Sequence, residues 1–214
     1  MPGKPHTEWA VAYTYQVATN IRHHRLRRNL SVEKLANRCT NLGYPIERSN
    51  LAKLELGQRS TVSVPELLVV ARALDVPPLA LLTPPAGDMV EILPGVEAHP
   101  HQAFAWLDGT APPPDGQDDD DGAAPRAELQ LLREHQKFVS DWTARTRAAA
   151  ASRARGDDTG DPHRDAWKTA AHVHAEQAGH AEQLLAALRE TMRARGGACP
   201  ALPPGLIHLD HRPE

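Results

Sequence analysis

The sequence predicts an all-α protein, with a five-helix domain near the N-terminus and an antiparallel helical hairpin near the C-terminus. Short apolar patterns at helical spacing, separated by cap residues, fill residues 15–86. Apolar residues at spacings of three and four continue through residues 126–195. Aromatic residues make up only 4% of the chain, beside 14 Gly and 19 Pro, which is typical of small helical units with loose connections rather than of a large sheet.

The first helix is predicted over residues 15–28, after an N-terminal extension at 1–14. Its apolar positions recur at helical spacing with basic residues between them, so the helix should be amphipathic. The expected inward residues are Val17, Ile21 and Leu26, and the expected outward residues are Arg22, Arg25, Arg27 and Arg28.

The second and third helices are predicted to be short. Ser31 caps the second, which ends near Thr40. The third lies within residues 46–57 and ends at Gly57, because glycine adopts the left-handed backbone of a helix end at the least cost. Its leucines face the core, and its outward face carries Arg48, Ser49, Asn50 and Lys53.

The rest of the N-terminal domain is also marked by local signals. Ser63 and Glu66 predict a capping box for a fourth helix over 64–74, and a fifth turn covers 79–82. Residues 87–108 are predicted to form a short strand and turn followed by a small apolar helix that closes the domain.

An acidic, Pro-rich linker is predicted at 109–125, because a segment with Pro112-Pro113-Pro114 and the run Asp118 to Asp121 cannot form a buried core. The hairpin at 126–195 then comprises helices over about 125–155 and 162–195, and an irregular tail occupies 196–214. We expect the hairpin to serve oligomerisation or sensing. Its helix seam is predicted to contain Leu131, Phe138, Trp142, Trp167, Ala171, Ala178, Leu185 and Leu188.

The charge is divided unevenly along the chain. Residues 1–86 hold 11 Lys and Arg against 6 Asp and Glu, whereas the remainder holds 13 against 21. Residues 17–59 alone carry nine basic and three acidic side chains. Such an asymmetry indicates a nucleic-acid-binding module joined to a second part.

The outward face of the third helix has the chemistry that the DNA major groove accepts. Arginine and lysine pair with guanine edges and asparagine pairs with adenine, so Arg48, Ser49, Asn50 and Lys53 are candidate base-reading residues. The alternative is an ordinary amphipathic surface helix. Cations flanking this face are candidate phosphate contacts, which fix register without reading sequence: Lys34, Arg38, Arg59 and Arg28.

Several short motifs resemble the phage-repressor-like (XRE-type) helix-turn-helix family of transcriptional regulators, in its actinobacterial form. They are Asn20-Ile21-Arg22, Asn29-Leu30-Ser31, Leu35-Ala36, Ser49-Asn50-Leu51, Leu54-Glu55-Leu56-Gly57 and Ala73-Leu74-Asp75-Val76. The resemblance to the actinobacterial form comes from Gly43-Tyr44-Pro45-Ile46 before the third helix. The resemblance covers about residues 15–83. It implies a five-helix, lambda-repressor-like domain whose third helix enters the major groove.

Three residues depart from the family pattern. His24 stands where the family has an apolar residue, which predicts a first helix that is rotated or less tightly packed. Glu47 stands where the family has a Ser or Thr cap, and Glu is a weaker cap for the start of the third helix. Asp75 replaces a common Gly at the end of the fourth helix, and Asp tolerates the left-handed backbone required there.

Other kinds of site find little support. The sequence has no phosphate-binding Gly-rich loop and no nucleophile motif, so we expect neither an enzyme nor a cofactor. His172, Glu176 and His180 share a helical face, but one helix supplies too few ligands for a closed metal site. Two distant cysteines without a CxxC motif, and no export signal or membrane span, predict a cytoplasmic protein.

The sequence therefore predicts a DNA-binding transcriptional regulator that acts as a homodimer on a near-palindromic site in double-stranded DNA. One alternative is an antitoxin-like or adaptor protein whose hairpin binds a partner protein, with DNA binding secondary. A third is a regulator that senses a small molecule between the hairpin helices, near Phe138, Trp142 and Trp167.

Overall fold

The computed structural model describes residues 6–83, 89–116 and 120–210. The chain is mostly helical, as predicted, and the described residues also contain a two-stranded sheet. The chain divides into two compact units, Met1–Asp120 and Asp121–Glu214. Each unit is described separately below.

Helices α1 to α5 of the first unit enclose one apolar core. Ile21, Leu35, Leu51 and Leu74, one from each of the first four helices, have no exposed surface. The predicted bounds of the fourth and fifth helices are confirmed. The five helices span His6–Arg27, Val32–Asn41, Arg48–Glu55, Val64–Leu74 and Leu79–Leu82.

A small hairpin and a helix pack against α1 in the same unit. Strands β1 (Val90–Leu93) and β2 (Val96–Ala98) pair antiparallel, and α6 (Pro100–Leu107) follows them. Their buried residues form a second cluster in contact with Tyr13 of α1. Burial raises the pKa of Tyr13 to about 12, and its hydroxyl donates to the carbonyl of Leu82 at 2.9 Å.

The first helix is longer than predicted, because it begins at His6 rather than at residue 15. The extra turns have tertiary contacts that the local sequence does not reveal. Trp9 stacks on Tyr13 with ring centroids 5.6 Å apart, and its indole N–H donates to the carbonyl of Glu91 at 3.0 Å. Most of the predicted extension at 1–14 is therefore helical and packed, and residues 1–5 lie outside the described ranges.

The predicted burial of Leu26 and the predicted exposure of Arg25 on α1 are both wrong. Leu26 is 54% exposed, whereas Arg25 is only 8% exposed. The guanidinium is buried because it pairs with a carboxylate of α3, as described below. Val17 and Ile21 lie in the core as expected.

The second unit is built on two long helices, α7 (Asp120–Asp157) and α8 (Arg164–Ala194). Successive contacts show that they run side by side in opposite directions. The His135 Nε2 lies 2.7 Å from the Arg189 Nη1, and the Trp142 Nε1 donates to the Glu182 Oε2 at 3.2 Å. Further along the pair, the Arg155 guanidinium of α7 lies 4.6 Å from the centre of the Trp167 ring of α8.

Both long helices begin away from their predicted positions. Helix α7 begins at Asp120, inside the segment predicted to be a linker, and residues 117–119 lie outside the described ranges. Helix α8 begins at Arg164 rather than at residue 162. The Asp161 carboxylate accepts from the backbone N–H of His163 and from the Trp167 indole, which holds the preceding turn outside the helix.

The prediction of an irregular tail after α8 is wrong for the described residues, because this segment folds back on the helix pair. It forms a 3₁₀ helix over Pro204–Asp210, in which Leu206 is fully buried. The Arg189 guanidinium, 1% exposed, donates to the Pro200 carbonyl at 2.8 Å and to the Asp210 carboxylate. A single buried arginine thus joins α7, α8 and the returning segment.

Mild acid should destabilise the second unit through His135. Burial, followed by the charge of Arg189, lowers the pKa of His135 from 6.5, although Asp210 partly opposes this. The unfolded chain then takes up its proton first as the pH falls, so stability present above about pH 6.5 is lost below it.

We expect the free energy of unfolding in urea, followed by helicity, to fall between about pH 7.5 and about pH 5.5 by more in the wild type than in His135→Gln. Gln stays neutral and can still accept from Arg189, and other titrating groups contribute equally to both proteins. Equal losses in the two proteins would contradict the role of His135.

Candidate nucleic-acid interface

The outer face of α3 presents polar side chains to solvent. Arg48, Ser49, Asn50 and Lys53 are all exposed, while Leu51 and Leu54 on the opposite face have no exposed surface. None of the four polar side chains makes a hydrogen bond or ion pair with another described residue. Their donors and acceptors are therefore available to a ligand.

Helical geometry gives these four side chains different positions. With about 100° between successive residues, the direction opposite the buried leucines falls close to Ser49, with Lys53 about 50° to one side. Arg48 and Asn50, which the sequence favours most by chemistry, lie on the two edges of the face. Leu56, at the end of the helix and 64% exposed, shares the central stripe. The exposure of Leu56 is not evident from the sequence, because a leucine so close to the core residues Leu51 and Leu54 is expected to be buried as well.

The N-terminus of α3 is open. Glu47 is the N-cap residue, but its side chain makes no capping hydrogen bond. The first intrahelical bonds run from Asn50 and Leu51 to the Glu47 carbonyl, so the N–H groups of Arg48 and Ser49 have no acceptor among the described residues. Free N–H groups at a helix N-terminus favour an anion such as a phosphate oxygen.

Gly57 ends α3 as predicted. Its φ is +69°, and the Gln58 N–H donates to the Lys53 carbonyl at 2.8 Å across it. A Cβ on Gly57 would also lie 2.7 Å from the Tyr15 ring. Glycine is required here both for the left-handed backbone and for the close approach of α1.

A buried ion pair joins α1 to the end of α3. The Arg25 Nε and Nη2 donate to the two carboxylate oxygens of Glu55 at 2.7 and 2.6 Å, and both residues are 8% exposed. The Arg25 Nη1 also donates to the Leu30 carbonyl at 2.6 Å, at the turn before α2. The hydrogen bonds to Glu55 raise the pKa of Arg25 further above its usual range. One guanidinium thus fixes α3 against α1 and the turn before α2.

One predicted phosphate contact, Arg59, is engaged within the unit. Its Nη1 and Nη2 donate to the carboxylate of Glu66 at 2.6 and 2.8 Å. Glu66 was expected to complete a capping box with Ser63, but only half of that box forms, since Ser63 accepts from the Glu66 N–H while the carboxylate binds Arg59. Arg59 therefore serves the fold, and a phosphate would have to compete with a half-buried bidentate pair.

Two other predicted phosphate contacts, Arg28 and Arg38, donate hydrogen bonds to the C-terminal end of α4. Arg28 donates to the carbonyl and carboxylate of Asp75, whose φ of 51° is the left-handed backbone expected there. Arg38 donates to the Ala73 carbonyl at 3.1 Å. Lys34 differs from them, because its exposed ammonium has no hydrogen-bond or ion-pair partner within the described residues. Only its backbone N–H is used, by the cap residue Ser31.

His24 is accommodated without a full set of partners. Its Nε2 is buried and makes no hydrogen bond to the described residues. Burial, and then the neighbouring His23, lower its pKa. The neutral imidazole takes the place of the apolar side chain that the family resemblance implies at this position.

Within the described ranges, no three His, Cys, Asp or Glu side chains lie close enough together to hold a metal ion. His172 and Glu176 form an exposed pair at 3.3 Å. In the same part of the chain no helix is both long and apolar enough to cross a membrane. No protein-family model matches the chain, and no curated protein or solved structure matches it.

The predicted helix seam of the second unit is only partly buried. Ala171, Ala178, Leu185 and Leu188 are buried, with Leu185 fully so. The remaining four members of the seam keep part of their surface exposed: Leu131, Phe138, Trp142 and Trp167.

The three aromatic residues expected to surround a small molecule do not share one site. The Trp142 ring lies against Gly205, where a Cβ would come within 2.5 Å of it. Trp167 donates to Asp161 and stacks beneath Arg155, near the other end of the pair. Phe138 lines a separate groove between α7 and α8. The segment that follows α8 packs beside Trp142, where one of the sequence-based alternatives places a small molecule.

Removing the Glu55 carboxylate should strongly destabilise the first unit. Glu55→Ala leaves the Arg25 charge buried without a partner, which costs about 3 to 5 kcal/mol. Arg28→Ala is the matched control, because it removes an arginine from a more exposed pair and should cost about 1 kcal/mol or less. The free energy of unfolding in urea measures both. Similar losses in the two variants would mean that the buried pair is not critical.

Proposed function

We propose that this protein is a sequence-specific DNA-binding transcriptional regulator, in which α2 and α3 act as a helix-turn-helix and α3 enters the major groove. The observation that carries the proposal is the outer face of α3, where exposed Arg48, Ser49, Asn50 and Lys53 have no internal partners. Side chains of these types distinguish base pairs by their donor and acceptor patterns. The leucines on the other face hold the helix against the core.

Phosphate contacts would position α3 in the groove. Lys34 on α2 is the candidate cation with a free ammonium, and the open N–H groups of Arg48 and Ser49 offer a second contact. Arg28, Arg38 and Arg59 are weaker candidates than the sequence implied, because each already donates to an acceptor within the unit.

The internal ion pairs leave the α2–α3 region basic. Three carboxylates of the first unit, Glu55, Glu66 and Asp75, are taken by arginines. Lys34, Arg48 and Lys53 keep their charges free of such pairs within the described residues, as do the carboxylates of Glu33 and Glu47, so the free groups of the two helices retain an excess of positive charge. A basic surface beside base-reading side chains is what a polyanionic duplex requires. A single small module contacts few base pairs, so we propose that two copies bind a near-palindromic site.

Base reading is tested by alanine substitutions at the edges of the face. The preferred duplex is first selected from a randomised pool with the wild-type chain. We then expect Arg48→Ala or Asn50→Ala to weaken binding to that duplex by about 1 to 3 kcal/mol and to relax the preference at one position. Fluorescence anisotropy titrations against matched and single-mismatch duplexes measure both effects. Arg72→Ala, an exposed cation of α4, is the control and should leave the preference unchanged.

If Asn50→Ala discriminates among duplexes as the wild type does, Asn50 does not read a base. If neither variant nor wild type prefers any duplex over random competitor, the proposed function is wrong.

A phosphate contact by Lys34 makes a different prediction. Lys34→Ala should weaken binding to all duplexes alike and reduce the slope of log affinity against log salt concentration by about one. Arg59→Ala should destabilise the fold through Glu66 instead, with a smaller change in that slope. Anisotropy titrations over a series of salt concentrations separate the two effects. An unchanged slope in Lys34→Ala would remove this residue from the interface.

A further inference from the structure

We propose that two copies of this chain associate through one flank of the α7–α8 pair and form an antiparallel four-helix bundle. In this bundle α7 of one copy packs against α8 of the other. The association does not depend on DNA, so it can be measured without a duplex. The flank surface is formed by Phe138, Asp141 and Arg145 of α7 and by Glu176, His180 and Leu184 of α8.

The surface for a second copy must lie outside the predicted seam. Ala171, Ala178 and Leu185 of that seam are buried within a single chain. Another face of the pair is covered in part by the returning segment, whose Gly205 lies against the Trp142 ring and whose His208 bonds the Glu182 carboxylate. The flank surface is a groove that both helices line and that remains open.

Apolar side chains are exposed along this flank. Leu184 is 39% exposed, and Val173, three helical turns away on the same stripe of α8, is 42% exposed. Phe138 lines the groove from α7. Covering these side chains would remove apolar surface from water, which favours a protein partner.

The charges of the groove are balanced and argue against a nucleic acid at this surface. Lys137 and Arg145 oppose Asp141 and Glu176. Asp141 and Arg145 form no ion pair with any other described residue, and Glu176 contacts only the exposed His172. A surface with unpaired charges of both signs fits a partner with the same charges in reversed positions.

A second copy meets this requirement. The contacts between 135 and 189, 142 and 182, and 155 and 167 show which residues of the two helices lie at the same level. A twofold axis parallel to the helices places α7 on α8 of the other copy at that level. Arg145 then lies within one turn of Glu176 of the second copy, Asp141 near its His180, and Phe138 near its Leu184. Arg145 thus meets an opposite charge, Asp141 meets an ionisable side chain, and the apolar side chains meet each other.

The test exchanges charges between copies. We expect the full wild-type chain to dimerise in sedimentation equilibrium, and Arg145→Glu or Glu176→Arg alone to weaken dimerisation about tenfold, because each creates two like-charge contacts per dimer. An equimolar mixture of the two variants should dimerise like the wild type, since every contact in the mixed dimer again joins opposite charges. Arg147→Glu, an exposed charge reversal on another side of α7, is the control and should dimerise normally.

Both substitutions lie at exposed helical positions and exchange good helix formers, so circular dichroism should show intact folding. A wild-type chain that stays monomeric at about 100 µM overturns the proposal. Failure of the mixed variants to recover dimerisation also overturns it, and so does a dimer that neither reversal weakens. None of these three results would bear on the proposed reading of DNA by α3, which is measured separately.

Discussion

The ion pair between Arg25 and Glu55 is the interaction on which the rest of the first unit depends. It lies between α1 and the end of α3, and the same guanidinium bonds the carbonyl of Leu30 before α2. Because both charged groups are buried, neither tolerates loss of the other. The pair fixes α3 relative to α1 and α2, which is the geometry that any base-reading function of its outer face requires.

The internal ion pairs separate cations that stabilise the fold from cations that are free to contact phosphates. Arg25 and Arg59 are committed to carboxylates with little exposed surface, while Lys34, Arg48 and Lys53 are not. A count of basic residues therefore overstates what the first unit can offer to phosphates. Lys34, Arg48 and Lys53 lie on α2 and α3, the two helices that the proposed function brings to DNA, and Arg22 and Arg27 on α1 are further exposed cations without a partner among the described residues.

Local signals in the sequence predicted the parts of the fold that depend on local physics. The bounds of α4 follow from Ser63 and from the left-handed Asp75, and the exposed face of α3 follows from the spacing of its leucines. The inward position of Arg25 could not be predicted, because its partner is 30 residues away. The start of α1 at His6 depends likewise on a bond from Trp9 to Glu91, and the returning segment depends on a buried arginine of α8.

The proposed function requires the exposed face of α3 to contact duplex DNA in a sequence-dependent way. It is tested most directly by backbone amide NMR of the full chain during titration with the selected duplex and with a scrambled one. We expect the selected duplex to shift the amide signals of Arg48, Ser49, Asn50 and Lys53 most, and the scrambled duplex to shift them much less. Shifts confined to α7 and α8, or equal shifts with both duplexes, would contradict it.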